Sequence, residues 1–424
     1  MHFHNTPQQV VRLIKKHVPR RADKVLDPAV GEGALLGALK ANHFNKNLTL
    51  VDIDPKRLNS IHALYENLSL ISADFTIWSK TQPECSFDLI VTNPPFSARS
   101  EKWVDVEGVR LPIELIFFRD CIRLLQKNGT MIAIVPDILV NSTKFKLERE
   151  WYFTQGAFTH AYQLPARSFE NIEASFFLVV FKKSRNQNRL ELIDVEKNTK
   201  LIIDKATIQS NGNRLDYKYY FGKNKLDSVL PNNYISLSSI CTIRRGPIRE
   251  NYKSPELYHS DSFRDGYWLA YKKSPCKDLC IGVKRVSRSA NLSFGLYPTD
   301  KIRISTDCIV FITPPQHLVY EIFFYLRVVF SNSDGEALLL KGSGAKFIQV
   351  KALMNLPYFN LKKMHPNELE NHKLNYETDN FEICIAIESK IYSSLQWGKK
   401  VSLINNHRSV ATMYSSNKTT VQAL

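Results

Sequence analysis

The sequence predicts an α/β protein with a doubly wound, mainly parallel sheet in its first part and a mixed α+β domain in its second part. Two observations indicate the sheet. Apolar strand-like segments alternate with helix-like segments up to residue 183, and polar residues stand at the strand ends. A third observation indicates the second domain, because beyond about residue 216 the alternation fades into short strands and basic, tyrosine-rich segments.

The elements follow one another in a βαβ order. Residues 6–16 open with a predicted helix, in which Thr6 is the expected cap and Pro7 lies in the first turn. Strands are predicted at 24–27, 48–52, 68–74, 87–93 and 130–136, and helices at 33–42, 55–67 and 112–129. Two more strands, 158–165 and 174–183, are expected to form an antiparallel edge, with loops at 183–189 and 209–214 and helix over 364–400.

The length of 424 residues predicts two domains, because one core rarely grows so large. We place the boundary at the end of residues 1–215, and expect a second domain over 216–405 and a flexible tail over 406–424. The apolar runs are too short for a membrane span, the N-terminus does not resemble a signal peptide, and the seven cysteines are scattered, which together predict a cytoplasmic protein. The net charge of +16 indicates nucleic acid as partner, and a membrane surface less strongly.

Acidic residues and glycines at successive strand ends predict a cofactor crevice. Asp27 ends one strand and is followed by Gly31 and Gly33, which allow a ligand to approach the backbone closely. The spacing through Gly37 departs from the dinucleotide fingerprint, and an acid beside the glycines suits an amino group better than a pyrophosphate. Asp52 is placed to hold ribose hydroxyls and Asp74 to meet an adenine, so the set matches S-adenosylmethionine. Asp54, before Pro55, is interpreted as a helix cap or surface charge.

The tetrapeptide Asn93-Pro94-Pro95-Phe96 follows the predicted strand 87–93, beside the switch point of such a sheet. The Asn93 side-chain oxygen and the Pro94 carbonyl are two acceptors in a rigid turn, and together they can hold both protons of a heteroaromatic amine. This hold directs the nitrogen lone pair at a methyl donor, while Phe96 supplies a ring face for stacking. Asn93, Pro94 and Phe96 are therefore the candidate catalytic residues.

These motifs resemble the gamma-class adenine-N6 DNA methyltransferases of restriction–modification systems over residues 1–183. The resemblance rests on "NTPQQVV", "VLDPAVGEGALL", "LVDIDP", "ISADF", "FDLIVTNPPF", "CIRLLQKNGTMIAIVP" and "SFENIEASFFLVVF", which occur in the family's order. It implies a class I S-adenosylmethionine-dependent, Rossmann-like fold and cofactor contacts from Thr6, Asp27, Ala29, Gly31, Asp52, Asp74 and Asn93. It also implies that Phe169 packs against a flipped base opposite Phe96. The family's loop more often reads "ACGSG", and Glu32 here faces the cofactor's amino group or caps the helix.

Basic residues in the second half suit contacts with DNA phosphates. The candidates are Arg244, Arg245, Arg249, Lys284, Arg285 and Arg288. Residues 230–360 loosely resemble the target-recognition domain of type I specificity subunits, which implies that this half selects the DNA sequence. Cys276 and Cys280 lack the paired spacing of a structural zinc site, so no metal is expected.

The expected function is site-specific methylation of adenine N6 in double-stranded DNA after base flipping, with S-adenosylmethionine as donor. This activity fits the modification enzyme of a restriction–modification system, with a separate cognate endonuclease as a candidate partner. Cytosine N4 stays open, because the same two acceptors hold either exocyclic amine. Guanine N2 in RNA and a protein glutamine amide also remain, since enzymes for these substrates share such a turn. A non-catalytic DNA-binding module is disfavoured by the intact Asp27, Asp52, Asp74 and Asn93.

Overall fold

The protein forms two compact units, which divide between Tyr217 and Lys218 in a computed structural model. The structure describes residues 6–44, 47–65, 68–96, 103–106, 108–165, 168–169, 174–184, 187–232, 234–249, 257–260, 274–287, 293–331, 333–341 and 346–395. The division lies two residues beyond the predicted boundary at 215, and the predicted tail lies outside the described residues. No helix within those ranges combines the length and apolar character that a bilayer crossing requires.

The first unit contains a central sheet flanked by helices. Its helices are α1 (Gln8–His17), α2 (Ala41–Phe44), α3 (Pro55–His62), α4 (Phe75–Thr81), α5 (Ile113–Leu124), α6 (Asp137–Asn141), α7 (Lys146–Gln155) and α8 (Lys205–Ser210). Its strands are β1 (Lys24–Asp27), β2 (Asn47–Asp52), β3 (Ser69–Ser72), β4 (Phe87–Thr92), β5 (Trp103–Val106), β6 (Val109–Pro112), β7 (Leu125–Pro136), β8 (Ala157–Gln163), β9 (Phe176–Lys182), β10 (Arg189–Asp194) and β11 (Thr199–Asp204). β5 and β6 form a separate antiparallel hairpin.

The nine other strands form one sheet in the order β11-β10-β8-β9-β7-β4-β1-β2-β3. β3, β2, β1, β4 and β7 are parallel, whereas β9 is antiparallel to both of its neighbours. The strand order reverses between β1 and β4, which makes the carboxyl ends of these two strands the switch point where ligands bind in open α/β sheets. The predicted doubly wound, mainly parallel sheet is therefore confirmed.

Several local predictions differ from the structure. The predicted helix at 112–129 ends at Leu124, and β7 begins at Leu125. The segment 33–42 contains a 3₁₀ turn, Ala34–Ala38, and the short helix α2 in place of one continuous helix. β8 and β9 pair antiparallel, but they do not form the edge, because β10 and β11 extend the sheet beyond β8. The predicted loop at 209–214 begins with the last turn of α8. The sheet extends past β8 because β10 pairs in parallel with β8 and β11 pairs antiparallel with β10.

The last residues of the first unit are fixed to it by a buried arginine. Arg149 of α7 has a side chain that is 1% exposed, and it donates hydrogen bonds to four backbone carbonyls. The acceptors are the carbonyl oxygens of Leu139, Ser142, Gly212 and Asn213, at 2.8–3.3 Å. Next to this point Arg214 and Asp216 form a buried ion pair. Residues 211–216 are thus part of the folded body of the unit.

The second unit combines short antiparallel sheets with helices. Its helices are α9 (Tyr217–Val229), which begins at the last residue of the first unit, α10 (Val319–Phe330), α11 (Ser333–Leu339), α12 (Val350–Met354), α13 (Pro366–Glu377) and α14 (Phe381–Ser394). Its strands are β12 (Ile235–Ser236), β13 (Thr242–Arg245), β14 (Leu279–Lys284), β15 (Val286–Ser287), β16 (Phe294–Pro298), β17 (Ile309–Thr313), β18 (Leu340–Lys341), β19 (Lys346–Ile348) and β20 (Pro357–Tyr358). The largest sheet has the order β13-β17-β14-β16, and all its pairs are antiparallel.

The core of the second unit is organised around α10, which is buried along most of its length. A polar network lies within this core: Arg327 of α10 makes a double hydrogen bond with Glu388 of α14 at 2.9 and 3.0 Å. Glu388 also pairs with His372 of α13 at 2.8 Å, and the His372 ring contacts the Tyr320 hydroxyl at the same distance. These bonds satisfy charges that the fold removes from water, and they join three helices.

Candidate active site

The carboxyl ends of β1, β2 and β4 bring three of the predicted site residues to one edge of the sheet. Asp27 is the last residue of β1, Asp52 is the last residue of β2, and Asn93 directly follows β4. β1 pairs in parallel with both β2 and β4, so all three residues lie at the same end of adjacent strands. The structure therefore places them at the switch point, as the sequence predicts.

The loop that follows β1 is held against β2 by backbone hydrogen bonds. The N–H of Val30 donates to the carbonyl of Val51 at 3.0 Å, and the N–H of Gly31 donates to Asp52 Oδ2 at 2.8 Å. Gly31 and Gly33 both adopt positive φ angles, 57° and 80°, where residues with a Cβ are strained. A Cβ at Gly33 would also lie 3.1 Å from Leu36 Cδ1. Both glycines are thus required by the backbone path of this loop.

Asp27 is a buried carboxyl group with one free acceptor atom. Its Oδ1 accepts a hydrogen bond from the N–H of Ala29 at 3.1 Å, whereas its buried Oδ2 has no hydrogen-bond partner within the described part of the chain. Burial raises the pKa of Asp27 to about 7, against the opposing effect of the Ala29 N–H, and the nearby Asp52 carboxylate adds to the rise. A ligand that donates hydrogen bonds or carries positive charge would satisfy this oxygen.

Asp52 connects the ends of the first two strands. Besides the bond from Gly31, its Oδ1 accepts a hydrogen bond from the N–H of Asp54 at 2.8 Å, and Arg57 lies 3.8 Å from the same oxygen. Each carboxylate oxygen has two lone pairs, so acceptor capacity remains on both. Asp54 itself caps α3 by accepting from the N–H of Lys56 at 3.0 Å, which confirms its interpretation as a helix cap.

Asp74 lies two residues beyond β3 and caps the next helix. Its Oδ1 accepts hydrogen bonds from the backbone N–H and the hydroxyl of Thr76, at 2.8 and 2.7 Å, at the start of α4. The predicted strand end at Asp74 is therefore displaced, because β3 stops at Ser72. The predicted contact between Asp74 and an adenine stays a prediction.

A side-chain hydrogen bond between Asn93 and Thr6 fixes the orientation of the Asn93 amide. Asn93 Nδ2 donates a hydrogen bond to Thr6 Oγ1 at 3.0 Å, across 87 residues of sequence. Asn93 Oδ1 is buried, and none of the residues that the structure describes forms a hydrogen bond with it. The prediction that Thr6 caps α1 is wrong, because the cap position belongs to Pro7 and no side chain of the described residues caps this helix. The Thr6 hydroxyl instead accepts the hydrogen bond from Asn93 Nδ2. This bond leaves the amide oxygen of Asn93 as an acceptor for a ligand.

An aromatic cluster borders this tetrapeptide. The ring centroid of Phe96 lies 4.8 Å from that of Phe176, and the ring of Phe169 contacts Phe176 edge-on at 4.7 Å. Phe96 is half-buried, whereas Phe169 is 1% exposed. Phe176 was not among the predicted site residues. The antiparallel pairing expected for its strand could have indicated it, because that pairing brings the start of the strand to the carboxyl edge of the sheet. Phe176 starts β9 opposite Pro136 and so lies at the carboxyl end of β7, on the edge that carries the site.

The basic candidates of the second unit differ in their surroundings. Arg244 and Arg245 are exposed on β13, an edge strand, and Arg249 is exposed beyond it. Arg244 lies opposite Phe311 and Lys284 opposite Ile309, so the period of two along β17 places both cations on one sheet face. Arg285 instead forms an ion pair with Asp307 at 3.0 Å. Arg288 lies outside the described residues.

Comparison with known proteins identifies a family for the first part of the chain. The sequence model of the N-6 DNA methylase family matches residues 3–225, which is more than half of the chain. The chain is also similar to the type II methyltransferase M.TthHB8I of Thermus thermophilus, with 26% identity over 203 residues that cover 42% of this chain and 44% of that protein. It thus spans less than half the length of this curated relative.

Solved structures also resemble the chain at low identity. One is the type IIG restriction endonuclease BpuSI, with 12% identity, a TM-score of 0.46 and coverage of 92% of this chain and 66% of that chain. Another is a methyltransferase subunit of a type I restriction–modification system from Streptococcus thermophilus, with 24% identity, a TM-score of 0.40 and coverage of 49% and 52%. With the match over residues 3–225, the chain belongs to the N-6 DNA methylase family.

Proposed function

We propose that this protein is a site-specific DNA methyltransferase that methylates adenine N6 with S-adenosylmethionine as donor. The observation that carries the proposal is the hydrogen bonding of Asn93: its Nδ2 donates to Thr6, and its buried Oδ1 has no hydrogen-bond partner among the described residues. An exocyclic amine offers the donors that this oxygen needs. The family match supports DNA as the substrate, and the basic charge of +16 suits a polyanion.

The residues at the switch point fit the proposed cofactor. The unpartnered Oδ2 of Asp27 is an acceptor for the cofactor's amino group, and Asp52 retains lone pairs for the ribose hydroxyls. Asp74 is proposed to contact the adenine ring through its second oxygen. Thr6, Ala29, Gly31, Gly33 and Asn93 are the remaining proposed contacts. When bound, S-adenosylmethionine supplies a methyl group on a positively charged sulfur.

The chain's own contribution is to bind and orient the target amine. Asn93 Oδ1 and the carbonyl of Pro94 accept its two N–H groups, which draws the nitrogen lone pair out of conjugation with the ring. The lone pair is then directed at the methyl carbon, so positioning and fixed dipoles lower the barrier. The new N–C bond would form as the bond between the methyl carbon and sulfur breaks, with that electron pair returning to sulfur. No strong base is needed, because the methylated nitrogen is acidic and its proton passes to solvent.

An aromatic lining for a flipped base is part of the proposal. A base in a duplex cannot reach Asn93 without leaving its stack. Phe96, which is half-buried beside Phe176, offers a ring face to the flipped base. Phe169 is proposed to support the opposite side, and Phe176 connects the two rings.

The second half is proposed to select the DNA sequence as a target-recognition domain, in the manner of gamma-class enzymes. Residues 1–215 would then carry catalysis and 216–405 recognition, in a cytoplasmic protein. Exposed Arg244, Arg245 and Arg249, with Lys284, are the proposed phosphate contacts. We further propose a role as the modification enzyme of a restriction–modification system, with a separate endonuclease as partner.

Long-read sequencing of DNA from cells that express the wild-type protein or the Asn93→Ala variant tests the proposal. We expect modified adenine in one recurring motif with the wild type and none with the variant. Asn59→Ala, on the exposed side of α3, is the matched control and should leave the modification intact. A cytosine signal would reassign the target to N4. Unmodified DNA from cells that contain folded wild-type protein would refute the proposal.

A further inference from the structure

The amide of Asn93 has two ends of similar size and opposite hydrogen-bonding character. The observed orientation points the Nδ2 donor at Thr6 Oγ1, at 3.0 Å, and leaves the Oδ1 acceptor free and buried. If the amide were reversed, Nδ2 would face the target amine. Two donors would then confront each other, and the amine would lose one of its two acceptors.

We propose that Thr6 is a positioning residue that holds the Asn93 amide in its productive orientation. This inference rests on the proposed function of Asn93. Thr6 is 6% exposed, so water does not readily replace its hydroxyl as the acceptor for Nδ2. Thr6 precedes α1, whose Val10, Val11, Leu13 and Ile14 are buried, and this packing fixes the position of the hydroxyl.

This role differs from those predicted for Thr6 from the sequence. A helix cap would bond to a backbone N–H of α1, and no side chain does so. A cofactor contact would act on cofactor affinity, whereas a group that orients Asn93 acts on the rate with cofactor bound. The hydroxyl can serve both roles at once, because it donates one hydrogen bond and accepts others. Rates measured at saturating cofactor therefore separate the two roles. A defect in cofactor binding disappears under that condition, whereas a defect in the orientation of Asn93 remains.

The test compares Thr6→Val, Thr6→Ser and Thr92→Val. Valine keeps the shape of threonine without its hydroxyl, and serine keeps the hydroxyl. Thr92 is the matched control, since its buried hydroxyl also adjoins Asn93 in sequence but has no hydrogen-bond partner. Each variant is assayed in single turnover and at steady state on DNA that contains the motif found by sequencing, with cofactor affinity measured by titration.

We expect Thr6→Val to lower kcat at saturating cofactor by about 10- to 100-fold, with KM for DNA within about 3-fold of wild type. Thr6→Ser and Thr92→Val should both stay within about 3-fold of wild type in kcat. A Thr6→Val enzyme with normal kcat would overturn the inference. So would a defect that disappears at saturating cofactor, because Thr6 would then act on cofactor binding.

Two further readouts separate this role from a loss of structure and from failure of the proposed function. Fluorescence of 2-aminopurine at the target position reports base flipping, and it should be unchanged in Thr6→Val. Loss of flipping in that variant would show a general disturbance and overturn the inference. A wild-type protein that modifies no adenine refutes the proposed function, whereas an active wild type with an unaffected Thr6→Val refutes only the role of Thr6.

Discussion

The carboxylate of Asp52 accepts a hydrogen bond from the N–H of Gly31 at 2.8 Å, so the end of β2 holds the loop that follows β1. The same carboxylate accepts a second bond from the N–H of Asp54. The residue proposed to hold the cofactor's ribose therefore also shapes the neighbouring loop. Binding and local structure at this edge of the sheet depend on one side chain.

Asp52→Ala should consequently weaken both stability and cofactor binding. The substitution leaves two backbone N–H groups without acceptors, at a cost of about 1–3 kcal/mol each when they stay buried. We expect a lower Tm without cofactor and a Kd for S-adenosylmethionine raised at least about tenfold. Asp54→Ala is the control, because it removes the cap of α3 and an exposed ion pair with Arg57, and should cost about 1 kcal/mol without a change in Kd.

The raised pKa of Asp27 predicts that cofactor binding depends on pH. Below about pH 7 the carboxyl group is protonated in the free protein, so a cationic amino group binds only after that proton is released. We expect affinity for S-adenosylmethionine to rise with pH up to about 7, by as much as about tenfold per unit. Calorimetric titration gives the slope, and Asp27→Asn should bind weakly without this slope. A flat wild-type profile would remove Asp27 from the amino-group site.

The same carboxyl group predicts the opposite trend for the stability of the cofactor-free protein. Its pKa is near 3.8 when unfolded and about 7 when folded, so the folded state holds an extra proton between these values. The tighter proton binding of Asp27 in the folded state stabilises the protein. This stabilisation is complete below pH 3.8 and is lost as pH rises through 7. Asp27→Asn should therefore raise Tm above pH 7, and the gain should shrink toward pH 4 in thermal melts. An equal gain at all pH values would contradict this account.

Arg244 and Arg245 are expected to contact DNA phosphates, whereas Arg285 is expected to be structural. Replacing either exposed arginine with alanine should reduce the slope of log K against log salt by about 1 and leave Tm unchanged. Arg285→Ala removes the partner of Asp307 and should lower Tm by its effect on folding. Filter binding across a salt series, with melts of each variant, measures both quantities. Unchanged slopes for both exposed sites would exclude them from the interface.

Arg149→Leu should destabilise the first unit strongly. The substitution leaves four carbonyl acceptors without their donor in a region where the side chain is 1% exposed. We expect a loss of about 3–5 kcal/mol. Arg12→Leu, on the exposed side of α1, is the control and should change the free energy of unfolding by less than about 0.5 kcal/mol. Chemical denaturation followed by circular dichroism measures both, and comparable losses would contradict the role assigned to Arg149.

The sequence was sufficient to predict the edge of the sheet that carries the site. Apolar runs end at Asp27, Asp52 and Asn93, and parallel strands bring their ends to a common edge, so local pattern and topology agreed there. The prediction for Asp74 was less accurate, because β3 ends two residues earlier and the Asp74 side chain caps α4. A carboxylate before a helix satisfies the cap pattern and the strand-end pattern equally well in sequence.

Contacts between distant segments escaped prediction. Thr6 and Asn93 are 87 residues apart, and a threonine before a proline and a helix has the pattern of a cap, so nothing local pointed to Asn93. β10 and β11 were not assigned from the sequence, and their pairing with β8 and with each other decides their structure. In both cases a contact with a part of the chain distant in sequence, and not the local residue pattern, determines the structure.

The hydrogen bonds of Arg149 also bear on how such proteins can exchange their second halves by recombination during evolution. A recombination event that replaces the second half of the chain must preserve the carbonyls at Gly212 and Asn213 and the ion pair of Arg214 with Asp216. A crossover before these residues would join an arginine from one parent to acceptors from another. A crossover beyond Tyr217 leaves the set intact. The fold thus places the least disruptive crossover point just after the residues that Arg149 holds.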